Sequence, residues 1–87
     1  MTLCLLRFPD AFPARARRGE IRWQLFLCRE VRDVLPTSRP DTLHVVFDGP
    51  VRLDRWAAAL AQEGLPAPTL VPGSVVRART ATPDRGG

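Results

Sequence analysis

The sequence contains no lysine, no tyrosine and no asparagine, so all thirteen of its basic residues are arginine. The codons of the missing residues are rich in A and T, whereas the abundant arginine, alanine, proline and glycine have GC-rich codons. This composition indicates a GC-rich genome, such as that of a high-GC bacterium or its phage. The arginine excess is therefore partly a coding bias and does not by itself establish binding to a polyanion. Without lysine, the chain also cannot complete a phosphate-binding P-loop.

Reactive side chains are scarce as well, since the chain has one histidine, His44, and two cysteines, Cys4 and Cys28. Neither cysteine belongs to a metal-ligand spacing, and each lies within an apolar run, which is typical of a buried free thiol. No nucleophile-elbow sequence surrounds Ser38 or Ser74, so a Ser-His-Asp triad is not indicated. We therefore expect no catalytic residue, no metal site and no cofactor, and we predict that the protein is not an enzyme.

Long hydrophobic runs are missing too. No apolar stretch approaches the roughly 20 residues that a membrane-spanning helix needs. The apolar run at the start, within residues 1–7, is too short and reaches a charged residue too early to be a signal peptide. We expect no membrane association and a cytoplasmic location.

The 87 residues that are present suffice for one domain with a thin core. Hydrophobic residues make up 45% and charged residues 25% of the chain, a balance close to that of globular proteins, so most of the chain should fold. From Thr80 onward, no apolar side chain is larger than that of Ala81, and burial cannot offset the entropy of ordering this segment. We predict a single domain over residues 1–79 and a flexible tail over residues 80–87.

Hydrophobic periodicity predicts the elements of this domain. Short apolar or alternating runs that end at proline or at Asp-Gly-Pro indicate strands. An alanine-rich run with three- and four-residue apolar spacing, followed by glycine and two prolines, indicates a helix. The predicted elements are a strand over Thr2–Phe8, a helix over Gly19–Leu35, a strand over Thr42–Phe47, a helix over Leu53–Glu63, and one interrupted strand or two short strands over Thr69–Arg79.

The segment Gly19–Leu35 has two interpretations. As a helix it gathers a broad apolar face, places an acidic residue in its first turn and ends at Pro36, and we favour this reading. The apolar face would comprise Ile21, Trp23, Leu25, Leu27, Cys28, Val31, Val34 and Leu35. Alternatively, residues 21–27 form a strand that pairs with the first strand across an arginine-rich hairpin.

The order strand, helix, strand, helix, strand predicts the fold class. We expect a small, single-domain α/β sandwich in which right-handed crossovers pack both helices on the sheet. The alternative is a ferredoxin-like α+β arrangement, which gains weight if residues 21–27 form a strand.

The basic charge is concentrated in the N-terminal half, where residues 1–39 hold eight arginines against four acidic residues. Arg15, Arg17, Arg18 and Arg22 form a cluster beside Trp23 that is the candidate binding site. These arginines could contact phosphates while the tryptophan stacks on a base, which would make the protein a nucleic-acid-binding protein. Against this, the chain has no recognised nucleic-acid-binding motif, and a solvated loop with codon-biased arginines has the same composition.

The absence of a reaction centre in an otherwise foldable chain favours a different function. Small domains without catalytic groups commonly act by docking, and arginine and tryptophan are enriched at binding hot spots. A three-stranded sheet also leaves free edges to which a partner can add a strand. We therefore predict a protein-protein interaction module, such as an adaptor or a small inhibitor or immunity-type protein. Its partner would be another protein or a second copy, with nucleic acid as the alternative partner.

Overall fold

The computed structural model describes residues 1–77, in which it places two helices and five strands. Residues 78–87, including the predicted tail over residues 80–87, lie outside the described part of the chain. In chain order the elements are β1 (Thr2–Arg7), α1 (Arg18–Leu25), β2 (Val31–Pro36), β3 (Thr42–Phe47), α2 (Leu53–Ala61), β4 (Thr69–Leu70) and β5 (Val76–Arg77).

The strands form one sheet in the order β2-β3-β1-β4, with β5 pairing β1 beyond the end of β4. Every pairing between them is antiparallel. Because β3 lies between β1 and β2, the unit β1-α1-β2 is a split βαβ, and residues 1–77 follow the β-α-β-β-α-β order of the ferredoxin-like arrangement if β4 and β5 are counted as one strand. The predicted small sandwich of a sheet and two helices is confirmed, and the antiparallel sheet makes it an α+β domain.

The predicted helix over Gly19–Leu35 is correct as far as Leu25 and wrong for residues 31–35, which form β2. The error has a structural cause, because the pairing of β2 with β3 shifts register between Val31 and Asp33. This irregularity places two core residues, Val31 and Val34, three positions apart, as in a helix, instead of two. The segment after Pro36 therefore joins two strands of a hairpin and not a helix to a strand.

The core lies between the sheet and the two helices. Alternating residues of β1 and β3 form the sheet side of the core, and each helix contributes the residues of one of its faces. Its centre is Trp56, whose ring packs edge to face on Phe47 with 5.0 Å between centroids. The indole N–H donates to the Glu30 carboxylate at 2.9 Å, so the buried ring has no unpaired polar atom. The core residues are Cys4, Leu6, Phe8, Ala14, Ile21, Leu25, Cys28, Val31, Val34, Leu43, Val45, Phe47, Trp56, Ala59, Leu60 and Leu65.

The two helices are also joined by a polar contact. The side chain of Gln24 is buried, and its Nε2 donates to the carbonyl oxygen of Ala59 at 2.8 Å. The last carbonyls of a helix have no partner within it, so this amide caps the end of α2 from α1.

Strands β4 and β5 form a single interrupted edge along β1, as the sequence predicted for Thr69–Arg79 as far as that segment is described. Pro72 and Gly73 make a turn between them, with Gly73 at a φ of 72°. The hydroxyl of Ser74 accepts the Leu5 N–H at 3.1 Å, and the Val71 N–H donates to the Leu5 carbonyl at 3.0 Å. A side chain thus replaces the backbone acceptor that the turn removes.

We expect Ser74→Ala to lower the free energy of unfolding by about 1 to 3 kcal/mol, because the Leu5 N–H would lose its acceptor in a partly buried position. Chemical denaturation followed by circular dichroism measures this change. The matched control is Ser38→Ala, where the side chain is exposed in the β2–β3 turn. Equal stability of the two variants would show that water replaces the Ser74 hydroxyl without loss.

Candidate interaction surface

The five predicted site residues lie together at the start of α1. Arg15 and Arg17 belong to the turns before the helix, and Arg18, Arg22 and Trp23 belong to its first two turns. The structure thus brings the predicted residues into one region. Their contacts differ, however: the four arginines bind other groups of the protein, whereas the tryptophan is exposed to solvent.

The guanidinium groups of Arg15 and Arg17 bind within the protein. Arg15 donates to the carbonyl oxygens of Thr37 at 3.4 Å and Ser38 at 3.2 Å, which ties the loop before α1 to the β2–β3 turn. Arg17 forms two parallel hydrogen bonds to the Glu20 carboxylate at 2.7 and 2.9 Å. The hydrogen bond from Arg17 lowers the pKa of Glu20.

Arg18 and Arg22 reach from α1 to the outer edge of β2. Arg18 donates to the Val34 carbonyl at 3.0 Å, and Asp33 accepts the Val34 N–H at 2.8 Å. The same Asp33 oxygen accepts the Nε–H of Arg22 at 2.9 Å, and this hydrogen bond is the main reason that the pKa of Asp33 is lowered. Both backbone groups of Val34 that point away from β3 are therefore occupied by side chains.

These contacts bear on the two binding modes that the sequence left open. Each of the four arginines has an intramolecular partner, so phosphate binding would have to displace existing hydrogen bonds or share their donors. The occupied groups of Val34 hinder strand addition at the β2 edge, and the Pro72-Gly73 turn limits the opposite edge to two short strands. Neither phosphate binding nor edge pairing gains support from the geometry.

Trp23, in contrast, points into solvent with 74% of its surface exposed. Leu27 is 59% and Phe26 38% exposed, and the three side chains line one shallow depression. We call these three residues the aromatic patch. The guanidinium of Arg22 lies over the Phe26 ring at 4.6 Å and forms the rim of the patch.

The helix explains why these apolar residues face outward. Ile21, Gln24, Leu25 and Cys28 form the buried stripe of α1 and the turn after it. The aromatic patch occupies positions i, i+3 and i+4 starting at Trp23, which is a second stripe on another side of the same helical segment. The sequence interpretation merged both stripes into one broad apolar face. That face placed both Trp23 and Leu27 beside the core residues, whereas both side chains are exposed. It left out Phe26, which does not fit the face and belongs to the exposed stripe. Of the three, the sequence named only Trp23 as a candidate binding residue.

The candidate catalytic groups are not brought together. Cys4 and Cys28 are both buried in the core between the sheet and the helices. His44 neighbours Leu5 and Leu35 on the other side of the sheet. Burial raises the pKa of the Cys4 thiol to about 11 and is also the main reason that the pKa of Cys28 is raised, so both thiols are poor nucleophiles.

Residues 1–77 contain no group of three or more histidine, cysteine, aspartate or glutamate side chains that could hold a metal ion. Neither helix in this part of the chain is long and apolar enough to cross a membrane.

Comparison of the chain with protein-family models, with curated proteins and with solved structures finds no match.

Proposed function

We propose that the protein is a non-enzymatic interaction module that binds another protein through the aromatic patch. The observation that carries this proposal is the exposure of Trp23 beside Leu27 and Phe26. A domain this small has few large apolar side chains to spare from its core, and a contiguous group of them in solvent is typical of a binding surface. We place the protein in the cytoplasm, where its two free cysteines would stay reduced.

The composition of the patch fits a protein partner. Tryptophan and arginine are the residues most enriched at binding hot spots, and Arg22 is already held at the rim by Asp33 and Phe26. Positions i, i+3 and i+4 on a helix are the spacing with which one helix packs against another apolar element. The partner would therefore supply an apolar surface, such as one face of a helix.

We expect Trp23→Ala to weaken binding of that partner at least about tenfold, because truncation of a central hot-spot residue typically costs 2 kcal/mol or more. The wild-type protein, Trp23→Ala and the control Gln62→Ala, an exposed position on the turn after α2, are first compared in quantitative pull-downs from the native host. A protein retained by wild type and Gln62→Ala and lost by Trp23→Ala is then titrated directly. Equal affinity of all three chains would contradict the proposal.

The nucleic-acid alternative has its own test. Affinity for random duplex and single-stranded oligonucleotides is measured across a salt series, with the wild-type chain and with an Arg15→Ala, Arg17→Ala, Arg18→Ala triple variant. Tight binding with a steep salt slope that shrinks in the triple variant would establish the alternative and overturn the interaction-module proposal. The intramolecular partners of these arginines lead us to expect weak binding and no difference between the two chains.

A further inference from the structure

A cleft between α1 and the turn after α2 borders the aromatic patch. It has a volume of about 340 Å³ and is lined by Gly19, Glu20, Trp23, Gln24 and Glu63. Trp23 lines both the cleft and the aromatic patch, so the two are continuous. Gly19 contributes no side chain, and nothing lies within 4 Å of the position that its Cβ would occupy. The cleft is therefore open to the end of a long side chain from outside.

Two polar side chains of the cleft are acceptors without a donor. Glu63 is exposed, and no arginine within residues 1–77 forms a salt bridge with its carboxylate. Gln24 is only 8% exposed. Its Nε2 donates to Ala59, but its amide oxygen receives no hydrogen bond from any group in the described part of the chain. Since buried amide oxygens normally have a donor, the cleft has a place for one that a ligand brings.

The charge at the cleft favours a cation. The two hydrogen bonds from Arg17 neutralise Glu20, so Glu63 leaves the cleft with one uncompensated negative charge. Arg22 does not line the cleft, because Asp33 holds it on the β2 side of α1. The chain as a whole carries a charge of +4, but salt screens exposed charges beyond about 8 Å under physiological conditions. The local carboxylate therefore decides which ligands are attracted.

An arginine side chain matches the ring and both acceptors. A guanidinium stacks on the face of an indole and donates several N–H groups to carboxylate and amide oxygens at the same time. Trp23 supplies the exposed indole, and Glu63 and Gln24 supply the oxygens. A lysine ammonium carries the same charge but lacks the flat group that stacks on a ring. An apolar or acidic side chain would leave the Gln24 oxygen without a donor.

We propose that this cleft binds an arginine side chain of the partner protein, with the guanidinium held by the Trp23 ring, the Glu63 carboxylate and the Gln24 amide oxygen. This inference rests on the function proposed above, because the same partner would cover the aromatic patch with apolar side chains. The partner is thus an amphipathic segment that carries an arginine beside its apolar face.

A test that needs no partner uses N-acetyl-arginine amide and its uncharged analogue, N-acetyl-citrulline amide, as probes. Each is titrated into the full, isotope-labelled chain and followed by nuclear magnetic resonance. We expect the arginine probe to shift the signals of the Trp23 indole N–H and the Gln24 side-chain amide, and the citrulline probe to leave them in place. Glu63→Gln should weaken binding of the arginine probe about threefold, the effect of losing one exposed ion pair. The matched control Asp10→Asn removes an exposed carboxylate from the turn after β1 and should behave as wild type.

Arginine recognition is wrong if the arginine probe causes no shift, or if both probes shift the same signals equally. The captured partner provides the second measurement, and we expect Glu63→Gln to bind it about threefold more weakly than Asp10→Asn does. If Trp23→Ala loses the partner while Glu63→Gln keeps full affinity for it, the interaction module stands and the arginine assignment fails.

The converse result separates the two proposals in the other direction. If the arginine probe binds as expected but Trp23→Ala retains every protein that the wild-type chain captures, the cleft is selective for arginine and the proposed function fails. Sedimentation equilibrium of the wild-type chain covers the remaining occupant. A dimer that Glu63→Gln dissociates would place the arginine on a second copy and would overturn its assignment to a different protein.

Discussion

Trp56→Ala is expected to lower the free energy of unfolding by about 3 to 5 kcal/mol, a large part of the roughly 5 to 10 kcal/mol available to a small domain. The ring is fully buried, packs on Phe47 and donates its N–H to Glu30. Its removal would leave both a cavity and a carboxylate without its hydrogen-bond donor. Urea denaturation followed by circular dichroism measures the loss, and we expect this variant to be close to unfolded at 37 °C.

The other tryptophan of the chain is the matched control. Trp23→Ala deletes the same side chain from a solvent-exposed position, and we expect stability to stay within about 0.5 kcal/mol of wild type. A large loss of stability in Trp23→Ala would show that the aromatic patch is structural, and it would remove the basis for a binding surface there.

Trp56→Phe then leaves Trp23 as the single indole, whose emission should shift to shorter wavelength when a partner covers it.

Much of the fold follows from short-range patterns. β1, β3 and α2 were predicted close to their observed bounds, because period-two alternation and three- and four-residue spacing reflect burial of one side of each element. β2 escaped prediction because its irregular register separates Val31 and Val34 by three residues, a spacing that also fits a helix. The sheet is antiparallel because β2 forms a hairpin with β3. Predicting β2 would have required knowledge of this pairing, which the local periodicity of the sequence does not contain.

The site shows the same division between local and long-range information. The chain position of the arginine cluster was visible in the sequence, but the partners of Arg18 and Arg22 lie 16 and 11 residues away on β2. Because the sequence did not predict β2, it did not predict these contacts either, and phosphate binding by the arginines stayed open. The exposure of Phe26 and Leu27 depends on which side of α1 meets α2 and the sheet, and that choice is made by tertiary packing.

Removing the two side chains that occupy the backbone groups of Val34 is expected to make the protein assemble through its β2 edge. In the double variant Arg18→Ala, Asp33→Ala, the Val34 N–H and carbonyl lose their partners and become available to another strand. The loss of three hydrogen bonds that involve charged groups, including the one from Arg22 to Asp33, should also lower stability by about 1 to 3 kcal/mol. Light scattering at increasing protein concentration should show species larger than those that the wild-type chain forms, together with an increase in β-sheet signal.

The double variant Arg17→Ala, Glu20→Ala is the appropriate comparison. It removes one arginine and one carboxylate from the same segment, keeps the net charge, and breaks an exposed ion pair that touches no strand. We expect no assembly beyond the wild-type state, because exposed ion pairs contribute little and the β2 edge stays occupied. If both double variants assembled alike, the change in surface composition would be the cause, and Arg18 and Asp33 would have no protective role. If neither double variant assembled, water bound to the Val34 N–H and carbonyl would suffice to keep the β2 edge from pairing.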